Sequence, residues 1–421
     1  MTMTLASDPI TRTVATNLCT GCGLCAGAFP ASIRMVEDPV NGRRPVVAAT
    51  PAARADATQA ARLCAGAGAD FTRLPRADET DAAWGPILAT YEGWAADDEI
   101  RHRGSSGGAV TALTLFALTQ GTVSGVAHVT ARADDPRRNE TVRSTDRAGL
   151  LRGAGSRYAQ ASPGEILPAV IAADGPTAFV GKPCDVASMA KLRDDSADMA
   201  ARLPLLIAIF CAGAPNLQAT DRLLNRLGVP EDAKLTDLRY RGDGWPGLMA
   251  ARYTDAAGQP QETPGISYAK GWGEVLQSER RWRCRICADH TGAFADISVG
   301  DPWHNPPAGD TVPGRSLIIA RTPAGLALIK AAIAAGAIIA EPRARDIIGA
   351  AQPNLRQAHG AAWGRRLAMR LSGMPVPQDR GAGLFSLWLG LPLRDKVQSV
   401  AGALKRILRA RLWRPVTIRG L

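Results

Sequence analysis

Three cysteines spaced C-x2-C-x2-C, Cys19, Cys22 and Cys25, carry the sharpest chemical signal in the chain. Three thiolates at this spacing can wrap one corner of an iron-sulfur cube, and Gly21 and Gly23 let the backbone approach closely enough for N–H groups to hydrogen-bond sulfur. The run supplies only three ligands, so a fourth must come from elsewhere, and Cys64 in Leu63-Cys64-Ala65-Gly66 is the nearest candidate. Zinc ranks second here, because zinc modules use paired C-x2-C units and rarely a three-cysteine run. The other four cysteines are Cys184, Cys211, Cys284 and Cys287. Cys184 follows the apolar run Thr177 to Val180, Cys211 ends the run Leu205 to Phe210, and Cys284-Arg-Ile-Cys287 adds a loop pair. Each alone reads as a buried small apolar residue. As a set of four they make a second four-thiolate site for a 4Fe-4S cluster, with a redox-active Cys284–Cys287 dithiol as the competing reading.

Two departures qualify the first set. In bacterial ferredoxins the three-cysteine run continues x3-C-P, and here Phe29 stands at that position before Pro30. Cys64 is followed by Ala65 where a remote ferredoxin-type ligand is usually followed by proline. Radical chemistry with S-adenosylmethionine typically uses C-x3-C-x2-C, which this spacing does not match. Two glycine turns add further candidates. Arg103-Gly104-Ser105-Ser106-Gly107-Gly108 leads into an apolar helical run, and small residues at a helix start expose N–H and hydroxyl donors suited to a phosphate or a flavin edge. Without a G-x-G-x-x-G pattern it is equally an ordinary helix cap. Gly153-Ala-Gly155-Ser156-Arg157-Tyr158 offers similar donors and an aromatic ring.

The elements that must position these residues are legible in outline. The chain has 421 residues, 46% of them hydrophobic and 21% charged, enough for about three domains and excluding disorder. Residues 1–80 read as a compact ferredoxin-like iron-sulfur module, with short strands at Ile33 to Val36 and Val46 to Ala48. Residues 81–340 alternate helical runs (Ala109 to Leu118, Ala187 to Leu192, Thr220 to Leu227) with β-type runs (Val123 to Val129, Thr177 to Val180, Leu205 to Phe210, Ala295 to Val299). That alternation predicts an α/β domain with a mixed sheet, α+β being the alternative. Residues 341–421 form a basic helical extension. The net charge of +11 concentrates there, in Arg394, Lys396, Lys405, Arg406, Arg409, Arg411, Arg414 and Arg419 against Asp395 alone. Val397, Val400, Ala401, Leu404, Leu408 and Leu412 fall on one helical stripe, read as packing on the chain's own core or as docking to a membrane surface or acidic partner. The run Leu203 to Ala214 is too short to span a bilayer. No export signal is visible, so the expected address is the cytoplasm, where cysteines serve as ligands or nucleophiles rather than as disulfides.

Taken together, Gly104-Ser-Ser-Gly-Gly-Ala-Val-Thr-Ala-Leu113, Gly155-Ser156-Arg157-Tyr158, Val180-Gly-Lys-Pro-Cys184, Phe210-Cys211-Ala-Gly, Gly244-Trp245-Pro246-Gly247, Cys284-x2-Cys287-Ala-Asp289 and Ala295-Asp296-Ile-Ser-Val-Gly300-Asp301 resemble the coenzyme F-420 hydrogenase/dehydrogenase beta-subunit family over roughly residues 15–340. Relatives in that family include deazaflavin-reducing hydrogenase and formate dehydrogenase subunits, sulfite reductases and 7-hydroxymethyl chlorophyll a reductase. The resemblance implies a flavoprotein oxidoreductase, with FAD in the α/β domain and one or two 4Fe-4S clusters passing electrons to or from it. By matched position, Ser106, Gly107, Gly108, Gly155, Ser156, Tyr158, Lys182 and Pro183 would lie near FAD. Cys19, Cys22, Cys25 and Cys64 would hold one cluster, and Cys184, Cys211, Cys284 and Cys287 the other. Candidate proton donors are His290, Asp289, Asp301, His304 and Tyr158. The implied partners are a ferredoxin or deazaflavin carrier and a small-molecule substrate; a partner subunit and self-association are left open, and nucleic acid is disfavoured. The competing functions are an electron-transfer subunit of a larger complex and a zinc-stabilised binding module.

Overall fold

A computed structural model describes residues 8–75, 80, 81 and 83–418, so Arg419 of the basic tail lies outside the described residues. Near the N-terminus, helices α1 (Pro9–Ala15) and α2 (Leu24–Ala28), the hairpin of β1 (Ile33–Asp38) and β2 (Gly42–Val47), and α3 (Pro51–Arg62) surround a small core of Ile10, Ala26, Ile33, Ala57 and Ala60. The expected short strands are the two arms of this hairpin. Phe29 packs at the edge of the same core, so the position that ferredoxins give to a further cysteine is spent here on packing.

An eight-stranded mixed sheet organises the rest. In chain order its elements are β3 (Ala89–Ala95), α4 (Ala109–Thr119), β4 (Gly125–Ala131), β5 (Asn139–Ser144), β6 (Thr177–Gly181), α5 (Pro183–Asp195), β7 (Leu205–Ile209), α6 (Leu217–Leu227), β8 (Ile297–Gly300), β9 (Ser316–Ala320), α7 (Pro323–Ala334) and β10 (Ile338–Arg343). The spatial order is β10-β3-β9-β8-β7-β6-β4-β5. β8, β7, β6 and β4 run parallel, and the strands flanking them pair antiparallel. This is the mixed α/β sheet that the alternating runs predict.

Side chains alternate across each strand and so divide into two cores. Val126, Ala178, Leu205, Ile207, Ile297 and Ile318 face α4 and α7. Their neighbours Ala127, Phe179, Leu206 and Ala208 face Val186, Met189 and Ala190 of α5, in one cluster with Cys22, Leu24 and Leu63. Fully burying Phe179 or Leu206 contributes about 1.5–3 kcal/mol, and that contribution also seats the N-terminal cysteines on the sheet. The carboxyl ends of the four parallel strands share one edge, where ligand crevices form in such sheets. A smaller antiparallel sheet, Lys234–Arg239, Ala250–Thr254 and Pro260–Glu262, lies between α6 and β8 in the chain.

Two long C-terminal helices, α8 (Pro353–Leu371) and α9 (Leu393–Ala410), complete the chain and pack on each other. The expected apolar stripe of α9 is only partly used. Ser399, Ala403 and Ile407 are buried, with Val400, Leu404 and Leu412 packed beside them, whereas Val397 is 58% and Leu408 65% exposed and Ala401 faces solvent. Small residues explain the rotation. A Cβ on Gly364 of α8 would lie 2.0 Å from the Ser399 hydroxyl, so the helices meet through a glycine–serine contact that a count of apolar residues overlooks. Among the described residues no helix is long and apolar enough to cross a membrane.

Candidate functional site

Cys19, Cys22, Cys25 and Cys64 line one small void together with Ile10, Leu24 and Leu63. The loop is held as the sequence predicts. The Gly21 amide donates to the Cys19 sulfur at 3.3 Å, and Gly21 and Gly23 adopt φ of 73° and 81°. A Cβ at Gly21 would lie 2.8 Å from the Arg281 guanidinium, and one at Gly23 2.7 Å from Ser162. Burial foremost pushes the Cys22, Cys25 and Cys64 thiols up, Cys64 to about 11, and the neighbouring cysteines add to the shift in each.

The second set gathers at the carboxyl edge of the sheet. Cys184 sits in the first turn of α5 just beyond β6, and Cys211 follows β7. Cys284 lies in the short helix Trp282–Arg285, with Cys287 two residues beyond it. Burial raises the Cys211 thiol to about 12 and Cys287 to about 11, and Cys284 contributes to both. Cys184 is raised by burial, with Asp185, Cys211 and Cys287 adding, so the four thiols lie within electrostatic reach of one another. The Ala214 amide donates to the Cys284 sulfur at 3.4 Å. Among the described residues no group of three or more His, Cys, Asp and Glu is placed to hold a metal ion.

Helix α5 ties the two sets together. One turn beyond Cys184, about 6 Å along the axis, the Ser188 hydroxyl accepts from the Ala65 amide at 3.2 Å and lies 3.6 Å from the Cys22 sulfur. Lys191 donates to the carbonyls of Cys64 and Gly68 at 3.2 and 2.6 Å. From the other side, Arg281 donates to the Thr20 carbonyl, and buried Arg283 reaches the Ala65 and Gly66 carbonyls at 3.1 and 3.3 Å. Replacing Arg283 with methionine leaves two buried carbonyls without this donor, so a loss of about 2–4 kcal/mol is expected in chemical denaturation. A loss below about 1 kcal/mol would show that the bridge does not hold the two sets together.

A cavity of about 1010 Å³ opens at the same edge. Its wall includes residues of β4, the ends of β6, β7 and β8, Gly104, Ser105, Ser106 and Gly108 of the first glycine loop, and the turn Gly153 to Tyr158. The first loop is stitched down by Ser316, whose hydroxyl lies 2.9 Å from the Ser106 hydroxyl and accepts from the Gly107 amide at 2.9 Å. A Cβ on Gly107 would meet backbone on both sides, 2.7 Å from the Gly93 carbonyl oxygen and 2.9 Å from the Ser316 nitrogen. Gly107→Ala is therefore expected to cost about 1–3 kcal/mol and to displace the loop. Thermal melts at equal ligand load test this, and an unchanged midpoint would show slack at the contact. The buried Ser105 hydroxyl, also in the wall, has no hydrogen-bond partner among the described residues.

Aromatic rings share the cavity wall with the loops. Tyr158 lies 4.8 Å from Trp272, and Tyr268 stacks on Trp303 at 5.4 Å. Behind them Asp301, the first residue after β8, accepts from both terminal nitrogens of Arg241 at 2.9 and 2.7 Å and from the Trp245 indole at 2.9 Å. The Arg241 guanidinium lies 4.8 Å from the centre of the Tyr268 ring.

Of the residues that the resemblance assigns to FAD, Ser106, Gly108, Gly155, Ser156, Tyr158 and Lys182 line the cavity. Gly107 lies just behind it on Ser316, and Pro183 is buried at the start of α5. The expected proton donors separate. Asp289 caps its own loop, accepting from the amides of Thr291, Gly292 and Ala293. His290 is buried against the Cys211 carbonyl at 2.9 Å, and burial pushes it down to about 3. His304 lies 3.3 Å from Glu92. None of these three lines the cavity, and Asp301, which does, has both oxygens engaged. Tyr158 remains, its hydroxyl pushed up by burial so that it keeps its proton. Sequence reasoning missed Arg241, Tyr268, Trp272 and Trp303, which belong to no spaced motif; only Trp245 beside them stands in one of the motif runs.

Two family models match the chain: the N-terminal part of the coenzyme F420 hydrogenase/dehydrogenase beta subunit over residues 90–167, and the C terminus of the same beta subunit over residues 175–346. The chain belongs to the coenzyme F420 hydrogenase/dehydrogenase beta-subunit family. This is a family of oxidoreductases, and its matched segments contain the cavity loops and Cys184, Cys211, Cys284 and Cys287. The Cys19 to Cys64 set, α8 and α9 lie outside the matched segments. Among solved structures, a chain of the F420-reducing [NiFe] hydrogenase complex from Methanosarcina barkeri shares the fold at 17% identity and a TM-score of 0.53, the match covering 70% of this chain and 96% of that one. No curated protein matches the sequence.

Proposed function

We propose that this chain is an iron-sulfur flavoprotein oxidoreductase that passes electrons between a one-electron carrier of the ferredoxin type and a two-electron partner, a deazaflavin or an organic substrate. The observation that carries the reading is the single helix α5, which joins four gathered thiols to four more and starts at the wall of a large cavity. Cys19, Cys22, Cys25 and Cys64 would hold one 4Fe-4S cluster, and Cys184, Cys211, Cys284 and Cys287 the other. The donor chemistry suits such clusters: thiols that burial keeps neutral become thiolates when iron supplies the compensating charge.

The cavity residues fit FAD. The orphaned Ser105 hydroxyl and the close-packed loop at Gly107 offer donors, and the flat rings of Tyr158, Tyr268, Trp272 and Trp303 match an aromatic cofactor. Bound FAD would supply exchange between one-electron and two-electron, hydride-type transfer. Lys182, held by its ion pair with Asp185, places an ammonium donor in the wall. Tyr158 holds a proton at its hydroxyl for a nascent anion. The Arg241–Asp301 pair orients the aromatic wall.

Anaerobic purification with iron, sulfide, zinc and flavin quantified per chain tests the reading. About eight irons and one FAD are expected; zinc without flavin would overturn it. A second reading, an electron-transfer subunit of a larger complex, is favoured by the exposed apolar residues Leu393, Val397 and Leu408 on α9. It predicts co-purification of a stoichiometric partner and no turnover by the isolated chain.

A further inference from the structure

A second end of the cavity is walled by α8 and α9, which pack on the segment that carries Cys284. Arg280, Arg285, Arg365 and Arg406 all line it. The first three donate to backbone carbonyls: Arg280 to Gln277 and Ala212, Arg285 to Ser278, and Arg365 to Arg285 at 2.6 Å. Among the described residues none of the four pairs with a carboxylate. The nearby acids are engaged elsewhere. Glu279 pairs with Arg222, and Asp395 accepts from Gln357. Asp395 also precedes Arg406 by eleven helical residues, about 16 Å along α9.

Four guanidinium groups converging on a partly enclosed space repel one another, and an anion bound between them removes that cost. Cys284 and Cys211 lie near Arg280, so cluster thiolates account for part of the charge. They do not account for Arg365, whose charged neighbours are Arg280 and Arg406; burial first and then these two push it down to about 10. Arg365 and Arg406 both lie beyond residue 346, outside the matched family segments. The positive end of the cavity is therefore completed by this chain's own C-terminal helices. Guanidinium forks match carboxylate and phosphate oxygens two at a time.

We propose that this end of the cavity binds a small molecule bearing two or more carboxylate or phosphate groups, held by Arg280, Arg285, Arg365 and Arg406, as the substrate that meets the redox centre. The ligand's role as substrate rests on the function proposed above, whereas anion binding is measured without turnover, so the two can fail separately. The experiment is calorimetric titration of the holoprotein with inorganic pyrophosphate and, separately, with tricarballylate. Saturable binding of one or the other at one per chain is expected, weakened about tenfold by Arg365→Gln and by Arg406→Gln, with Arg365→Lys intermediate and iron and flavin contents unchanged. The Arg406 side chain is exposed and makes no hydrogen bond among the described residues, so its substitution is expected to leave the fold intact. Absence of saturable binding, or binding indifferent to both glutamine variants, would overturn the proposal. So would loss of flavin from these variants, which would assign the arginines to the flavin's own diphosphate.

Discussion

Cys211→Ala is expected to lower iron from about eight to about four atoms per chain while leaving the Cys19 set loaded. Electron transfer through the protein should then fall at least about a hundredfold, because the cluster proposed beside the cavity would be lost. Cys211 lies where β7 ends, within reach of Cys284 and Cys287, and it also lines the cavity. Alanine there removes a sulfur without adding bulk, and the Cys211 amide keeps its 2.9 Å bond to the His290 carbonyl. The complementary variant, Cys64→Ala, should remove the other four irons and spare the cavity. Iron analysis with electron paramagnetic resonance of the reduced protein separates the two. Unchanged iron in Cys211→Ala would return Cys184, Cys211, Cys284 and Cys287 to structural or dithiol roles.

Residues whose meaning is local are readable in the sequence. The C-x2-C-x2-C run with its two glycines specifies a loop that the structure forms with the expected N–H to sulfur bond. The alternation of helical and β-type runs locates β6, β7, α4 and α6 to within a few residues, because period and propensity agree there. Partnership across the fold is less legible. Whether His290 or Tyr158 faces the cavity depends on which side of a loop each falls, and no period encodes that. The seam of α9 departs from its apolar stripe because helices can meet through small residues, at Gly364 and Ser399, as well as through apolar ones. The four arginines of the second cavity end are scattered from Arg280 to Arg406, and only the packing of α8 and α9 on the segment around Trp282 brings them together.

Breaking the Arg241–Asp301 pair is expected to produce the largest loss of stability by a single substitution in the cavity. Arg241 is 3% exposed at its side chain and Asp301 17%, and the guanidinium grips both carboxylate oxygens. Arg241→Met strands a carboxylate with, among the described residues, only the Trp245 indole as side-chain donor, and Asp301→Leu strands a guanidinium beneath two aromatic rings. Removing one partner of a buried pair costs about 3–5 kcal/mol, much of it the penalty of the charge left behind. The double variant removes both charges together, so its loss should be clearly smaller than the sum of the two single losses. Urea unfolding of the four proteins measures this coupling, and strictly additive losses would show that the pair is no unit. Flavin content supplies the functional readout. Arg241 also donates to the Pro246 carbonyl at 2.8 Å and to the Ser105 carbonyl, so it fixes the glycine loop and the aromatic wall at once. Each single variant should therefore lose the proposed flavin even under conditions where it remains folded, because the glycine loop and the aromatic wall no longer share an anchor.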